Sequence, residues 1–201
     1  SDGDGHAFEI GESILSTSGG DIIIHGNAKG AGSSRGVSVY ISEINSGDGD
    51  IIVTAESTGN TNNPKAFDLV GDGAETAAKL TSAAGDIIIT ANSPVANVGI
   101  AFWDDAEIST IDGNITITSS AAADSDFRAG GSGAETQGIT STNGNVTINM
   151  DDSDFNNLDS IYAGNTLSIF TIDPTTTIGL GTGSTGVLNL NNTELGIEAN
   201  K

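Results

Sequence analysis

The sequence predicts an all-β fold, a right-handed parallel β-helix (solenoid) with irregular loops and end caps. Three observations predict it: a short phrase that recurs along the chain, period-two alternation inside each copy, and a composition unsuited to a broad aromatic core. Hydrophobic residues make up 36% of the 201 and aromatics 4%, yet the apolar ones gather in β-branched runs such as Ile22-Ile23-Ile24. A disordered chain scatters them. Twenty-eight glycines against three prolines point to many turns between short strands.

The phrase is an aliphatic residue, five positions ending in Gly, then Asp or Asn, then a β-branched triplet. It reads Leu15-STSGG-Asp21-III, Ile44-NSGDG-Asp50-IIV, Leu80-TSAAG-Asp86-III, Ile108-STIDG-Asn114-ITI and Ile139-TSTNG-Asn145-VTI. The copies start 29, 36, 28 and 31 residues apart, so unit length varies while the phrase does not. A stacked solenoid with loops of different size bulging from its rungs behaves this way. Gly71-DGAET-AAK-Leu80 is also similar to Gly131-SGAET-QG-Ile139, which makes the repeats alternate between two subtypes.

Each element follows in order. The chain reads as one domain over 1–201, with 1–13 as an N-terminal cap, 14–150 as repeat rungs, and 151–201 as last rungs or a C-terminal cap. Alternation points Ile22 and Ile24, Ile51 and Val53, Ile87 and Ile89, Ile115 and Ile117, and Val146 and Ile148 inward. The Gly before each Asp or Asn supplies a tight corner, often at positive φ. Between phrases lie weaker strands at Val37-SVYI, Ala66-FDLV and Val98-GIAFW. No helical stripe competes with this reading. An antiparallel sandwich also gives short strands but does not require one phrase at every turn.

Charge excludes some functions. Six Lys and Arg face 27 Asp and Glu, a formal net charge of −21, so a nucleic-acid backbone or an anionic membrane is repelled. No apolar run nears the roughly 20 residues of a membrane span. Without cysteine there are no disulfides and no thiolate metal sites. The acidity suits a solvated extracellular surface.

In these residues the chain resembles the repetitive passenger regions of filamentous haemagglutinins and related large bacterial exoproteins. The family's pattern is matched by Gly99-Ile100 followed by Ile108-STIDG-Asn114-ITIT, and by Gly138-ITSTNG-Asn145-VTI. The resemblance spans roughly residues 13 to 150. It implies secretion or display on the cell surface and roles in adhesion or biofilm. The motif specifies architecture well and ligand hardly at all.

Two columns are candidate sites. Asp21, Asp50 and Asp86, continued by Asn114 and Asn145, stack about 4.8 Å apart in such a fold. Three carboxylates at that spacing either satisfy turn backbone groups or are bridged by a cation, for which structural Ca2+ is the fitting ion. The outward middle of each triplet reads Ile23, Ile52, Ile88, Thr116 and Thr147. An aligned apolar strip marks a partner interface or a strip covered by a loop, for which 56–79 is long enough. Catalytic residues are expected to be none. His6 and His25 read as surface residues, and neither a nucleophile elbow nor a histidine zinc motif occurs.

The expectation is a secreted structural or adhesive module, not an enzyme, that forms homo-oligomers or fibres by end-to-end stacking or contacts a host or cell-surface glycan. Two alternatives stay open. One is a polysaccharide-binding or polysaccharide-cleaving β-helix, the other an ice-binding protein that uses the threonines at 116, 118 and 147.

Overall fold

The structure is a computed structural model that describes residues 5–30, 32–59, 63–73, 76–95, 98–122, 125–131, 137–155, 157–180 and 188–190. Its first layer is β1 (His6–Gly11), β2 (Ile14–Ser16) and β3 (Ile22–Ala28). Layer 2 holds β4 (Arg35–Tyr40), β5 (Glu43–Asn45) and β6 (Ile51–Ser57); layer 3 holds β7 (Lys65–Val70), β8 (Ala78–Ser82) and β9 (Ile87–Ser93). Layer 4 is β10 (Val98–Trp103), β11 (Ala106–Thr110) and β12 (Ile115–Ala121), and layer 5 is β13 (Phe127–Gly130), β14 (Gly138–Ser141) and β15 (Val146–Asn149). The sixth is β16 (Ser153–Asp154), β17 (Ser160–Ala163) and β18 (Leu167–Phe170), followed by β19 (Ile178–Leu180) and β20 (Leu188–Leu190).

Corresponding strands of successive layers pair in parallel, giving three six-stranded sheets. The first strand of each layer builds sheet A, the second sheet B and the third sheet C. This is the parallel β-solenoid that the repeat predicts. The opening aliphatic residues lie one over another in sheet B, where Leu15 pairs with Ile44, Ile44 with Leu80, Leu80 with Ile108, and Ile108 with Ile139. The triplets form sheet C in register, Ile22–Ile51–Ile87–Ile115–Val146. Residues 6–11, inside the expected cap, form the first strand of sheet A, and residues 153–170 supply the sixth layer.

The core is the space between the three sheets. Sheet B contributes Ile44, Leu80, Ile108 and Ile139, and sheet C contributes Ile51, Ile87, Ile89 and Ile115, all fully buried. Each such side chain contributes about 2–3 kcal/mol of transfer free energy. The few aromatics concentrate on the inner side of sheet A, where Val37, Phe67, Ile100 and Phe127 form one ladder. Phe102 and Phe127 meet edge-on at 4.9 Å, and Phe127 and Phe155 at 5.1 Å. The weaker strands were harder to read because β7 and β10 are buried on both faces, which erases alternation.

The glycine expectation needs correction. Gly49, Gly85, Gly113 and Gly144, the last of the five positions, do not have positive φ. They are small because layers touch there. A Cβ on Gly85 would sit 2.0 Å from the Gly49 carbonyl oxygen, and one on Gly113 would sit 2.0 Å from that of Gly85. Positive φ falls earlier in the first two copies, at Gly19 and Gly47, and at the corner between sheets A and B, at Glu12, Ile41, Asp104 and Asp105. In sequence the two similar segments fall between β7 and β8 and between β13 and β14, so the alternation of subtypes is a difference in A–B connections.

One buried carboxylate ties three layers together. Asp126 is 3% exposed. Its Oδ1 accepts the Ala121 N–H at 2.5 Å, and its Oδ2 accepts those of Asp151 at 2.5 Å and Asp152 at 3.3 Å. Burial pushes its pKa above the ordinary 3.8, against the pull of those donors. A raised folded-state pKa means that ionisation costs more in the folded chain, so this group's contribution falls as pH rises from about 3.8 through the raised value. The stability difference between the parent protein and Asp126→Asn, measured by urea unfolding, is therefore expected to fall as pH rises across that window. A difference that grows with pH would contradict this assignment.

Candidate functional site

The corner between sheets B and C carries the repeated polar residues, and each has a partner in an adjacent layer. Asp21 Oδ1 accepts the Asp50 N–H at 3.0 Å, and Asp50 Oδ1 accepts the Asp86 N–H at 2.8 Å. Asp86 Oδ1 accepts the Asn114 N–H at 2.7 Å and its Nδ2 at 3.1 Å; Asn114 Oδ1 does the same for Asn145, at 3.0 and 2.8 Å. The sequence reading assigned such residues to their own turns or to a cation. The structure places their bonds between layers.

A hydroxyl column runs beside it. Ser82 Oγ donates to the Gly49 carbonyl at 3.1 Å and accepts the Gly85 N–H at 2.9 Å. Thr110 repeats this with Gly85 and Gly113, both at 3.2 Å, and Ser141 with Gly113 and Gly144, at 2.7 and 3.0 Å. Four positions of the phrase thus have a physical reason: an inward aliphatic, a hydroxyl that bridges layers, a glycine without bulk, and an oxygen acceptor for the next backbone N–H.

The expected calcium residues Asp21, Asp50 and Asp86 are stacked as the sequence implied, with one oxygen of each engaged by an N–H donor. Among the described residues, no group of three His, Cys, Asp or Glu is arranged to hold a metal ion. Asparagine keeps the acceptor that this role needs. Asp86→Asn is therefore expected to leave the unfolding midpoint nearly unchanged, while Asp86→Ala, which orphans the Asn114 N–H, costs about 1–2 kcal/mol. An Asn variant as weak as the Ala variant would make the charge itself, and hence a cation, essential.

The expected partner-interface column is one ladder on the outside of sheet C: Ile23–Ile52–Ile88–Thr116–Thr147. Ile23 is 71% exposed, and the other four are partly exposed. The described part of 56–79 forms the end of β6 in layer 2 and, in layer 3, all of β7 and the start of β8, so its strands are part of the stack itself.

Sequence reasoning missed a charged network on the outside of sheet A. Asp68, 1% exposed, has Arg35 Nε at 2.6 Å and Lys65 Nζ at 3.0 Å. Arg35 Nη1 reaches His6 Nε2 at 2.8 Å, and His6 Nδ1 lies 3.1 Å from Glu9. The Lys65 ammonium sits 5.2 Å from the centroid of the Trp103 ring. Burial lowers the Lys65 pKa below 10.5, against the attraction of Asp68. The signal was present: Arg35-Gly-Val-Ser-Val aligns with Lys65-Ala-Phe-Asp-Leu, placing two of six cations at one strand position.

Comparison with known proteins returns no relative: no family model matches the chain, and neither a curated protein nor a solved structure matches it. Among the described residues, no helix is long and apolar enough to cross a membrane.

Proposed function

We propose that this chain is a secreted structural or adhesive module of a bacterial cell surface, a stiff solenoid that presents its outer faces to neighbours or to a glycan. The observation that carries the reading is the use of the repeated residues. The repeated hydroxyl and Asp or Asn positions of the phrase, from Thr17 to Asn145, join one layer to the next. The repeated spacing therefore serves scaffold construction, and variation between copies is left to outward side chains and corner loops. The resemblance of the phrase to haemagglutinin-type repeats supports the same reading. Among the described residues, the edges of β1, β2 and β3 pair on one side only, which offers a template for a further layer.

Electron microscopy of the purified chain, together with glycan retention on the immobilised protein, tests this. Rods or fibres, or glycan retained without chemical change, are the expected results. New reducing ends released from a polysaccharide panel would overturn the non-enzymatic reading in favour of a cleaving β-helix. A freezing-point gap would overturn it in favour of ice binding.

A further inference from the structure

The outside of sheet C differs in charge from the other two sheets. Among the outward positions of β3, β6, β9, β12, β15 and β18, Glu56 is the one carboxylate, and none is Lys or Arg. Glu56 itself accepts a hydrogen bond from Asn27 Nδ2 at 2.7 Å. The remaining positions are Ile, Thr, Asn and Ser, apart from His25 and a Phe170 that is 54% exposed. Sheet B, by contrast, shows Glu43, Lys79 and Glu107 outward, and sheet A carries the Arg35–Asp68–Lys65 network.

We propose that this face docks a second copy of the chain, side by side, with sheet C against sheet C. The charge argues for this occupant. At a formal −21, two copies meeting through most of their surface bring carboxylates against carboxylates, and the strands of this face carry the fewest carboxylates of the three sheets. Its chemistry is also self-complementary: hydroxyls and amides both donate and accept, and the Ile23–Ile52–Ile88 strip offers apolar contact to its own image. The area is sufficient. With strands about 4.8 Å apart and a rise of about 3.3 Å per residue, the sheet spans roughly 550 Å² in projection. A pair then buries about 1,100 Å², just above the roughly 1,000 Å² that a specific interface needs.

The inference does not rest on the adhesive reading, and the experiments are separate. Sedimentation equilibrium of the chain is expected to show a monomer–dimer equilibrium. Ile52→Glu and Thr90→Lys should each weaken it at least about tenfold, while Ser109→Lys, on the outside of sheet B, should leave it unchanged. Thr90 is exposed, so its variant keeps the test valid if the change at Ile52 disturbs folding. A monomer at concentrations up to about 1 mM would overturn the proposal. So would a dimer indifferent to both sheet C changes, or a monomer whose sheet C variants instead lose glycan or ice binding. Failure to form fibres or retain glycan bears on the adhesive reading alone.

Discussion

Gly85→Ala is expected to destabilise the solenoid by about 3 kcal/mol or more, at the upper end of overpacking costs, while Gly20→Ala is expected to cost almost nothing. Both glycines hold the same place in the phrase, and neither needs positive φ. They differ in what lies beneath them. A Cβ on Gly85 would stand 2.0 Å from the Gly49 oxygen and 2.2 Å from its carbonyl carbon, backbone atoms with no rotamer to yield. Gly20 has nothing within 4 Å of the same point. An alanine there even restricts the unfolded chain, which favours folding by up to about 1 kcal/mol. Urea midpoints of the two variants measure the contrast. Equal midpoints would show that the layers do not approach as closely as the structure has them.

Asp68→Ala is expected to cost about 3–5 kcal/mol, because it leaves the buried Lys65 ammonium, and Arg35 beside it, without their counter-charge. The Lys65 side chain is 7% exposed and that of Asp68 2%, so water cannot replace the lost partner. Replacing both residues together, Lys65→Met with Asp68→Leu, should restore part of the loss, since the buried ammonium is removed with its counter-charge and only the partly exposed Arg35 still lacks Asp68. The Ala variant should also gain stability as pH rises toward 10.5. Its unpaired Lys65, with a folded-state pKa below the ordinary 10.5, sheds its proton first in the folded chain. Chemical unfolding of the three proteins at neutral and alkaline pH checks both statements. A double variant no better than Asp68→Ala would mean that packing, not charge, governs this site.

Much of this fold was legible because stacking fixes the identity of residues that repeat. Leu15, Ile44, Leu80, Ile108 and Ile139 could be aligned by eye, since each needs the same bulk in the same layer position. The Asp and Asn column was found for the same reason, but its bonding was not, because a partner 28 to 36 residues away in sequence is invisible until the layers are stacked. The glycines were assigned to turn geometry when their real constraint is a carbonyl in the layer below. Sheet A was hardest. Its strands bury both faces, its outward row mixes Arg35, Lys65 and Asp68 with Ala101, and its entry corner changes length from layer to layer. The charged network therefore left only a two-residue alignment as its trace. The weakly charged face of sheet C was half visible: the isoleucine strip could be read, but the scarcity of carboxylates around it, Glu56 alone, needs the register of all six strands.

The central claim is that one phrase makes one layer, and paired cysteines in this cysteine-free chain test it most directly. Thr81 and Ser109 are register partners in β8 and β11, and Ser109 in turn pairs with Thr140 in β14. Neighbours in adjacent layers lie about 4.8 Å apart, within disulfide reach, whereas residues two layers apart lie about 9.6 Å apart, beyond the limit of about 7 Å. Thr81→Cys with Ser109→Cys should oxidise to an intramolecular disulfide, and Thr81→Cys with Thr140→Cys should not. Cross-linking of the second pair but not the first would contradict the stacking on which the rest of the account stands.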